Sequence, residues 1–488
     1  MKNKTLYNDM PPDEFRQMGH QLVDWIADYL NNIENYKVLP SVKPGEIKEA
    51  LPTHPPQSGE SAETLIKDFE KFILPGITHW NHPKFMGYFN STSSGPGILA
   101  EFLTAALNQN GMIWKTSPAS TELEEVVLDW FREMVGLPGE FWGMIYDTAS
   151  TSSLHAFAAA RESVYEKMFS EKKFFSRKEI LPLMFYTSEH ANISIEKAAL
   201  TIGIKPAGVK KIKSDSYFRM NTRELKENIG EDIKQGCIPF CVSATIGTTS
   251  TVSIDPIKEI AEICKANNIW LHVDAAYAGN AAILPEKRDL FDGWEMADSI
   301  VINPHKWMFT PMDLSAFYTK KPEILKKAFT YIPEYLKTGI TDVRNSMDYG
   351  FQLGRRFRSL KLWFIIKYFG VEGLREILRG HILNAKKLEE DLRKIKDIEI
   401  IAPVYFATVC FRVVPEGADE NKIKEFNQAL LDELNNRGDL LISHSSAGGK
   451  YFLRMVCSGL RTREEHIKDA LKIIQQVKAE IYARQLNG

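Results

Sequence analysis

A lysine stands directly after a short apolar run, Ser299 to Ile302, in the stretch Asn303-Pro304-His305-Lys306-Trp307. The run reads as a buried strand, and an ammonium at the end of such a strand is costly to desolvate. It must either be paired or have its pKa lowered far enough to act as an amine nucleophile toward a carbonyl. Thirty-two positions upstream, a second apolar run, Ile269 to Val273, ends in Asp274-Ala275-Ala276-Tyr277-Ala278-Gly279. Pyridoxal 5′-phosphate (PLP) chemistry asks a protein for an amine, for a carboxylate that keeps the pyridine nitrogen protonated, and for donors to a phosphate. Lys306 and Asp274 meet the first two. Ala275 and Ala276 leave room for a flat ring against the strand end.

Donors for a phosphate are offered by Thr148-Ala149-Ser150-Thr151-Ser152-Ser153, which precede Leu154 to Met168, a segment with helical spacing. Hydroxyls and free backbone N–H groups at a helix start suit a dianion; an ordinary helix cap uses the same residue types. A second hydroxyl cluster, Gly247-Thr248-Thr249-Ser250, follows the apolar run Ile238 to Ala244, as expected of a site built from strand C-termini.

These strand ends must share one edge of a sheet. From about Phe85 to Gly370, apolar strands alternate with helical segments, the pattern of a mostly parallel α/β sheet covered on both faces. Before it, Phe15, Met18, Leu22, Ile26, Tyr29 and Ile33 repeat at helical spacing over Pro12 to Ile33, an amphipathic helix with no core of its own. A Pro-rich connector, Leu39 to Gly59, and a second helix, Ala62 to Leu74, follow. The C-terminal part reads as helix, strand, strand and helix, with Val371 to Lys396, Ala407 to Val414 and Tyr451 to Cys457 as its clearest members, a small α+β unit. The expected division is an N-terminal helical segment (1–84), a large α/β domain (85–370) and a small C-terminal α+β domain (371–488).

At 488 residues, 44% of them hydrophobic, the chain can bury cores for more than one domain. A net charge of −2 gives no reason to expect nucleic acid or a membrane surface as partner. No run approaches the ~18 apolar residues of a membrane helix, and the start lacks an apolar export segment. The five cysteines are odd in number and scattered, so reduced thiols and a cytoplasmic location are expected. Cys237 and Cys241 read as packing, and no metal site is expected.

Five blocks in order, Leu74 to Trp80, Ser117 to Glu124, Trp270 to Gly279, Asn303 to Trp307 and Leu353 to Lys361, resemble the group II PLP-dependent decarboxylases of the aromatic L-amino-acid decarboxylase type. The resemblance runs nearly end to end and implies the fold of the aspartate aminotransferase-like PLP enzymes (fold type I). It implies that Lys306 forms the Schiff base, that Asp274 pairs with the pyridinium nitrogen and that Ala276 packs under the ring. Thr148, Ala149, Ser150 and Asn303 would hold the phosphate with His305 nearby, and Thr249 would support the Asp274 end of the ring. Trp80, Tyr88 and Phe89 match the family's aromatic pocket wall, and Arg454 its C-terminal-domain arginine. Asn110 and Met112 occupy positions from which animal relatives reach into the neighbouring subunit's pocket. An N-terminal segment lying across that subunit implies a homodimer.

Two departures from the family pattern bear on the chemistry after carbon dioxide leaves. Aligned on Ser194 and Ala198, the position of a histidine that stacks on the cofactor ring holds Asn192, with His190 two residues earlier. In the lid segment, Tyr335 to Gln352, ungapped counting from Leu353 puts Ser346 at the position of a tyrosine acid, whereas a gap would put Tyr349 there. The expected reaction is PLP-dependent decarboxylation of an L-amino acid, aromatic (Tyr, Phe, Trp or DOPA), to an amine and carbon dioxide. The alternative is an aldehyde synthase, which consumes dioxygen and releases aldehyde, ammonia and peroxide. Intact Lys306 and Asp274 argue against a scaffold without turnover.

Overall fold

In a computed structural model, the chain is described over residues 9–169, 182–330, 340 and 342–486. Its centre is a sheet of seven strands: β1 (Trp142–Tyr146), β2 (Leu183–Ser188), β3 (Val209–Ile212), β4 (Ile238–Thr245), β5 (Trp270–Asp274), β6 (Ser299–Ile302) and β7 (Ser315–Thr319). Their spatial order is β1-β7-β6-β5-β4-β2-β3. Only β7 runs against its neighbours, so the other six strands all end at one edge. Strands β2, β5, β6 and β7 are buried along their whole length, which explains why the β5 and β6 segments read as apolar runs. Side chains of the sheet divide between two cores. One includes Ala156, Phe157 and Ala160 of the helix Ala149–Phe169; the other takes Val127 and Leu128 of Pro118–Val135 and Ile260 of Ile257–Asn267.

A second, antiparallel sheet holds β8 (Ile398–Ile400), β9 (Thr408–Val413), β10 (Ser443–Ala447) and β11 (Lys450–Val456) in the order β10-β11-β9-β8. β8, β10 and the helix Glu420–Asn436 add to the expected helix, strand, strand and helix. Neither added strand carries an apolar run: β8 has three residues and β10 is Ser-His-Ser-Ser-Ala, so the neighbouring ladder rather than local propensity holds them.

Boundaries moved elsewhere too. The helix expected from Leu154 begins at Ala149, because the Thr148 carbonyl already accepts the Ser152 N–H at 3.0 Å. The helix expected from Val371 begins at Ser359, with a break at Gly370 (φ 65°, ψ 168°), a backbone shape that disfavours a side chain. Pro12–Asn31 forms the expected N-terminal helix, and none of its residues is buried. Glu46–Ala50 adds a helical turn to the connector. Ala62–Asp68 is α-helical as expected, then the coil widens over Phe69–Ile73 and tightens over Leu74–Gly76.

One extended stretch positions the site from outside the large sheet. The Met86 N–H donates to the Leu441 carbonyl at 2.8 Å, and the Met86 carbonyl accepts the Val456 N–H at 2.8 Å. The stretch leading to Phe89 is therefore carried by the small sheet. Among the described residues, no helix is long and apolar enough to cross a membrane.

Candidate active site

Because β5 and β6 are adjacent and parallel, the loops after Asp274 and Ile302 leave the sheet side by side. Asp274 closes β5 and is 6% exposed, its Oδ1 accepting the Ala276 N–H at 3.0 Å. Burial pushes its carboxyl pKa up, while the Lys306 cation and the Ala276 N–H act the other way. Lys306 sits in the single helical turn Pro304–Trp307 directly after β6. Burial lowers its amine pKa, and Asp274 raises it. No hydrogen bond engages Lys306 Nζ among the described residues; it lies 5.3 Å from the centroid of the Phe89 ring. A lowered amine pKa favours the neutral form that attack on a carbonyl requires.

β1 ends at the same edge and is followed by Thr148 and the 21-residue helix opening at Ala149, with the Ser150 side chain exposed. The Thr148 N–H donates to Asp147 Oδ1 at 2.6 Å. Asn303 is buried, and its Oδ1 has no partner among the described residues. His305 is more committed than expected: its Nδ1 accepts the Leu314 N–H at 3.0 Å, and burial pushes its pKa down to about 3. The ring is neutral with its proton on Nε2, so it offers a phosphate one donor and no charge. A free amine, an adjacent carboxylate, a helix start and a buried amide lacking a partner fit PLP.

Asn192 does not stand free to cover a ring. Its Oδ1 accepts the Ser194 N–H at 3.0 Å, capping the helix Ile193–Thr201, and its Nδ2 donates to Thr249 Oγ1 at 2.9 Å. His190 turns away: its Nε2 meets Ser214 Oγ at 3.0 Å and its ring packs edge-on against Phe218.

Phe89 joins Lys306 to the substrate side. Its ring stacks on Tyr277 (3.9 Å, 7°), which stacks on Trp307 (4.9 Å, 6°). The Arg454 guanidinium also lies 5.3 Å from the Phe89 centroid. Arg454 donates through Nε to the Ser250 carbonyl (2.9 Å) and through Nη1 to Ser443 Oγ (3.0 Å), leaving buried Nη2 without a partner among the described residues. Trp80 and Tyr88 form a separate exposed aromatic pair, 6.2 Å apart and nearly parallel. Tyr88 has a left-handed backbone (φ 50°), a shape uncommon away from glycine and found at functional sites.

The lid residues lie elsewhere. Residues 335–339 and 341 of the expected lid are outside the described residues. Ser346 is buried and its hydroxyl has no partner among the described residues, and the Tyr349 ring packs on Trp142 at 4.6 Å. Trp142 begins β1, while the Tyr349 carbonyl accepts the hydroxyl of Tyr146, the last residue of that strand. Among the described residues, no hydrogen bond or ring contact joins Ser346 or Tyr349 to Lys306 of the same chain. Asn110 and Met112 brace this region: Asn110 Oδ1 accepts the Arg355 N–H at 2.9 Å, and the Met112 carbonyl accepts the Met347 N–H at 3.0 Å. Ser250 and Ser443, the partners of Arg454, were missed as site residues. Ser250 stands in the hydroxyl cluster read after β4; Ser443 carries no local signal.

Comparison with known proteins agrees with this geometry. Residues 44–414 match the family model described as the pyridoxal-dependent decarboxylase conserved domain. Tyrosine decarboxylase 3 of Petroselinum crispum is 38% identical over 96% of this chain and 92% of its own length. Phenylacetaldehyde synthase of Arabidopsis thaliana is 39% identical over 96% of each. A crystal structure of Oryza sativa TDC with PLP and tryptamine superposes with a TM-score of 0.93, at 33% identity, over 97% of this chain and 99% of that one. The chain belongs to the pyridoxal-dependent decarboxylases, as a carboxy-lyase whose cofactor is pyridoxal phosphate.

Proposed function

We propose that this enzyme decarboxylates an aromatic L-amino acid to its amine. The observation that carries the reading is one ring, Phe89, with Lys306 Nζ and the Arg454 guanidinium each 5.3 Å from its centroid. Lys306 is the amine that would hold the cofactor, Asp274 the anion for its ring nitrogen, and Ala276 the small residue beneath the ring. Thr148, Ala149, Ser150 and Asn303 would receive the phosphate, with His305 Nε2 as a further donor and Thr249 supporting the Asp274 end. When bound, PLP supplies the electron sink for the pair left at Cα. Arg454 Nη2, buried and unpartnered, is the donor for the substrate carboxylate, since an unmet guanidinium donor inside a protein is costly until an anion arrives. Phe89 fixes how far that carboxylate lies from Lys306, and Trp80 and Tyr88 supply an apolar rim that favours an aromatic side chain over an acidic one.

A second copy of the chain completes the molecule in this reading. The helix Pro12–Asn31 buries none of its residues, and Phe15, Val23, Leu99, Phe102 and Leu107 are all exposed. So large an apolar face supports a homodimer, in which Ser346, Tyr349, Asn110 and Met112 would serve the partner's site. All five cysteines are unpaired, which supports a cytoplasmic location.

The aldehyde-synthase reading is favoured by two observations: Asn192 is tied to Ser194 and Thr249, and Ser346 offers no phenol. The experiment is oxygen uptake measured beside carbon dioxide and amine release, on PLP-loaded enzyme given each aromatic L-amino acid. Amine equal to carbon dioxide with no oxygen used establishes the decarboxylase. Oxygen consumed in step with carbon dioxide, with aldehyde and peroxide formed, establishes the synthase.

A further inference from the structure

Past the last ladder pair, Asp274 with Val301, β5 and β6 hand over to two loops that must hold Asp274 and Lys306 at a fixed separation. Two backbone hydrogen bonds continue the contact: Ala275 N–H to the Val301 carbonyl at 3.0 Å, and Asn303 N–H to the Ala276 carbonyl at 2.9 Å. Next comes a side chain. Asn280, fully buried in the helical turn Ala278–Ile283, donates both N–H groups of its amide, to the Tyr277 carbonyl at 2.9 Å and to the Asn303 carbonyl at 3.1 Å. The Asn303 carbonyl is also the acceptor for the Lys306 N–H at 2.9 Å. Asn280 therefore grips the peptide that starts the Lys306 turn and the peptide of Tyr277, whose ring supports Phe89.

We propose that Asn280 is a positioning residue for the decarboxylation, clamping the Asp274 loop to the Lys306 turn and so setting the lysine's place relative to its carboxylate and to Phe89. The inference rests on the roles given above to Lys306 and Asp274. Asn280 touches neither reacting group; it acts through two carbonyls. A smaller side chain leaves both carbonyls a donor short in a buried place and frees the turn to shift. The charged groups that register the shift are Asp274 and, across Phe89, Arg454, with His305 neutral.

The test compares PLP-loaded wild type with Asn280→Ala, Asn280→Ser and Lys306→Ala. A matched control is Asn427→Ala: Asn427 is equally buried, and its amide donates to the Val413 and Ile423 carbonyls, each at 2.7 Å, far from the cleft in sequence. The readouts are the midpoint at which the cofactor's visible absorbance titrates with pH, and kcat and KM for L-tyrosine. Asn280→Ala is expected to move the midpoint by about half a unit or more and to lower kcat about tenfold with KM within about twofold. Asn280→Ser, which keeps one donor, falls between. Asn427→Ala lowers the melting temperature and moves neither midpoint nor kcat. Wild-type midpoint and kcat in the Asn280 variants, or an equal midpoint shift in Asn427→Ala, overturns the inference. Should Asn280→Ala fail to fold, Asn280→Ser decides on the same readouts. Lys306→Ala separates the two levels: if it keeps the wild-type absorbance, the parent reading fails, whereas its loss beside unaltered Asn280 variants removes the clamp alone.

Discussion

Two regions of this molecule bury charge, and they treat it in opposite ways. At the cleft, Asp274 and Arg454 are buried and Lys306 half-buried, with hydrogen-bonding capacity left over: among the described residues Lys306 Nζ is unengaged, and Arg454 Nη2 and Asn303 Oδ1 have no partner. Beside β1, Glu124 is 3% exposed and its carboxylate is filled by its own chain. It takes Arg355 Nη2 at 2.8 and 3.0 Å, the Ile145 N–H at 3.0 Å and Arg344 at 3.5 Å. Arg344 donates further to the Gly143 carbonyl and lies 4.2 Å from the Trp142 ring. Buried polar groups in folded proteins are almost always satisfied. Arg344 Nε has no partner among the described residues, but the Glu124 carboxylate at the centre is held entirely by its own chain. A carboxylate closed in this way fastens structure, whereas the donors and acceptor of the cleft stay open beside Lys306.

The sharpest way to break that contrast is at Lys306. Lys306→Ala is expected to cut kcat by ~10⁴-fold or more, because among the described residues no other lysine lies in the turn after β6 to take its place. Steady-state turnover near wild type would remove the open cluster from the chemistry. Glu124→Ala should behave in the opposite sense. It strands two buried guanidinium groups, each with a side chain 6% exposed, and is expected to cost about 3–5 kcal/mol of stability. The check is the denaturant midpoint at fixed protein concentration, with the cofactor absorbance of the remaining folded enzyme unchanged. A stable Glu124→Ala protein that has lost its cofactor would place Glu124 in the site instead of the scaffold.

The open cluster was the more legible of the two in the sequence. Lys306 and Asp274 each follow an apolar run on a fully buried parallel strand, so strand propensity, burial and chemistry coincide at one place. The closed cluster was visible only as resemblance. Glu124 lies in one recognised block and Arg355 in another, 231 positions apart, and no local pattern says that they meet. Tyr349 shows the same limit: its partner Trp142 is about two hundred positions upstream, and counting along the lid could not reveal it. Asn280 gave no signal, because its two acceptors are backbone carbonyls that carry no side-chain signature. β10 was illegible since its Ser-rich strand is held by β11 alone.

Arg454 carries a smaller expected effect, since it combines both behaviours in one side chain. Nε and Nη1 are committed to Ser250 and Ser443, and Nη2 is open. Arg454→Lys retains the charge but has no planar fork with which to keep those two bonds and face a carboxylate as well. Hydrogen bonds to charged groups are worth about 1.5–3 kcal/mol, so KM for an aromatic L-amino acid should rise roughly 10- to 100-fold. An unchanged KM in steady-state kinetics would return Arg454 to a purely structural bridge between the small sheet and the Ser250 loop.

Asn192 gives the smallest expected effect and the finest test of the contrast. Its amide is closed, with Oδ1 on the Ser194 N–H and Nδ2 on Thr249, yet the acceptor Thr249 adjoins Ser250, whose carbonyl holds Arg454. Asn192→His removes a good helix cap, a loss of about 1 kcal/mol, and places an imidazole, able to stack and to move a proton, beside Thr249 at the position to which the sequence resemblance assigns a stacking histidine. The expected result is a slightly lower melting temperature and a larger share of amine among the products, read as less oxygen consumed per carbon dioxide released. The same stability loss with an unchanged oxygen ratio would assign Asn192 wholly to the closed class, and control of the product would then lie with Ser346 and the lid.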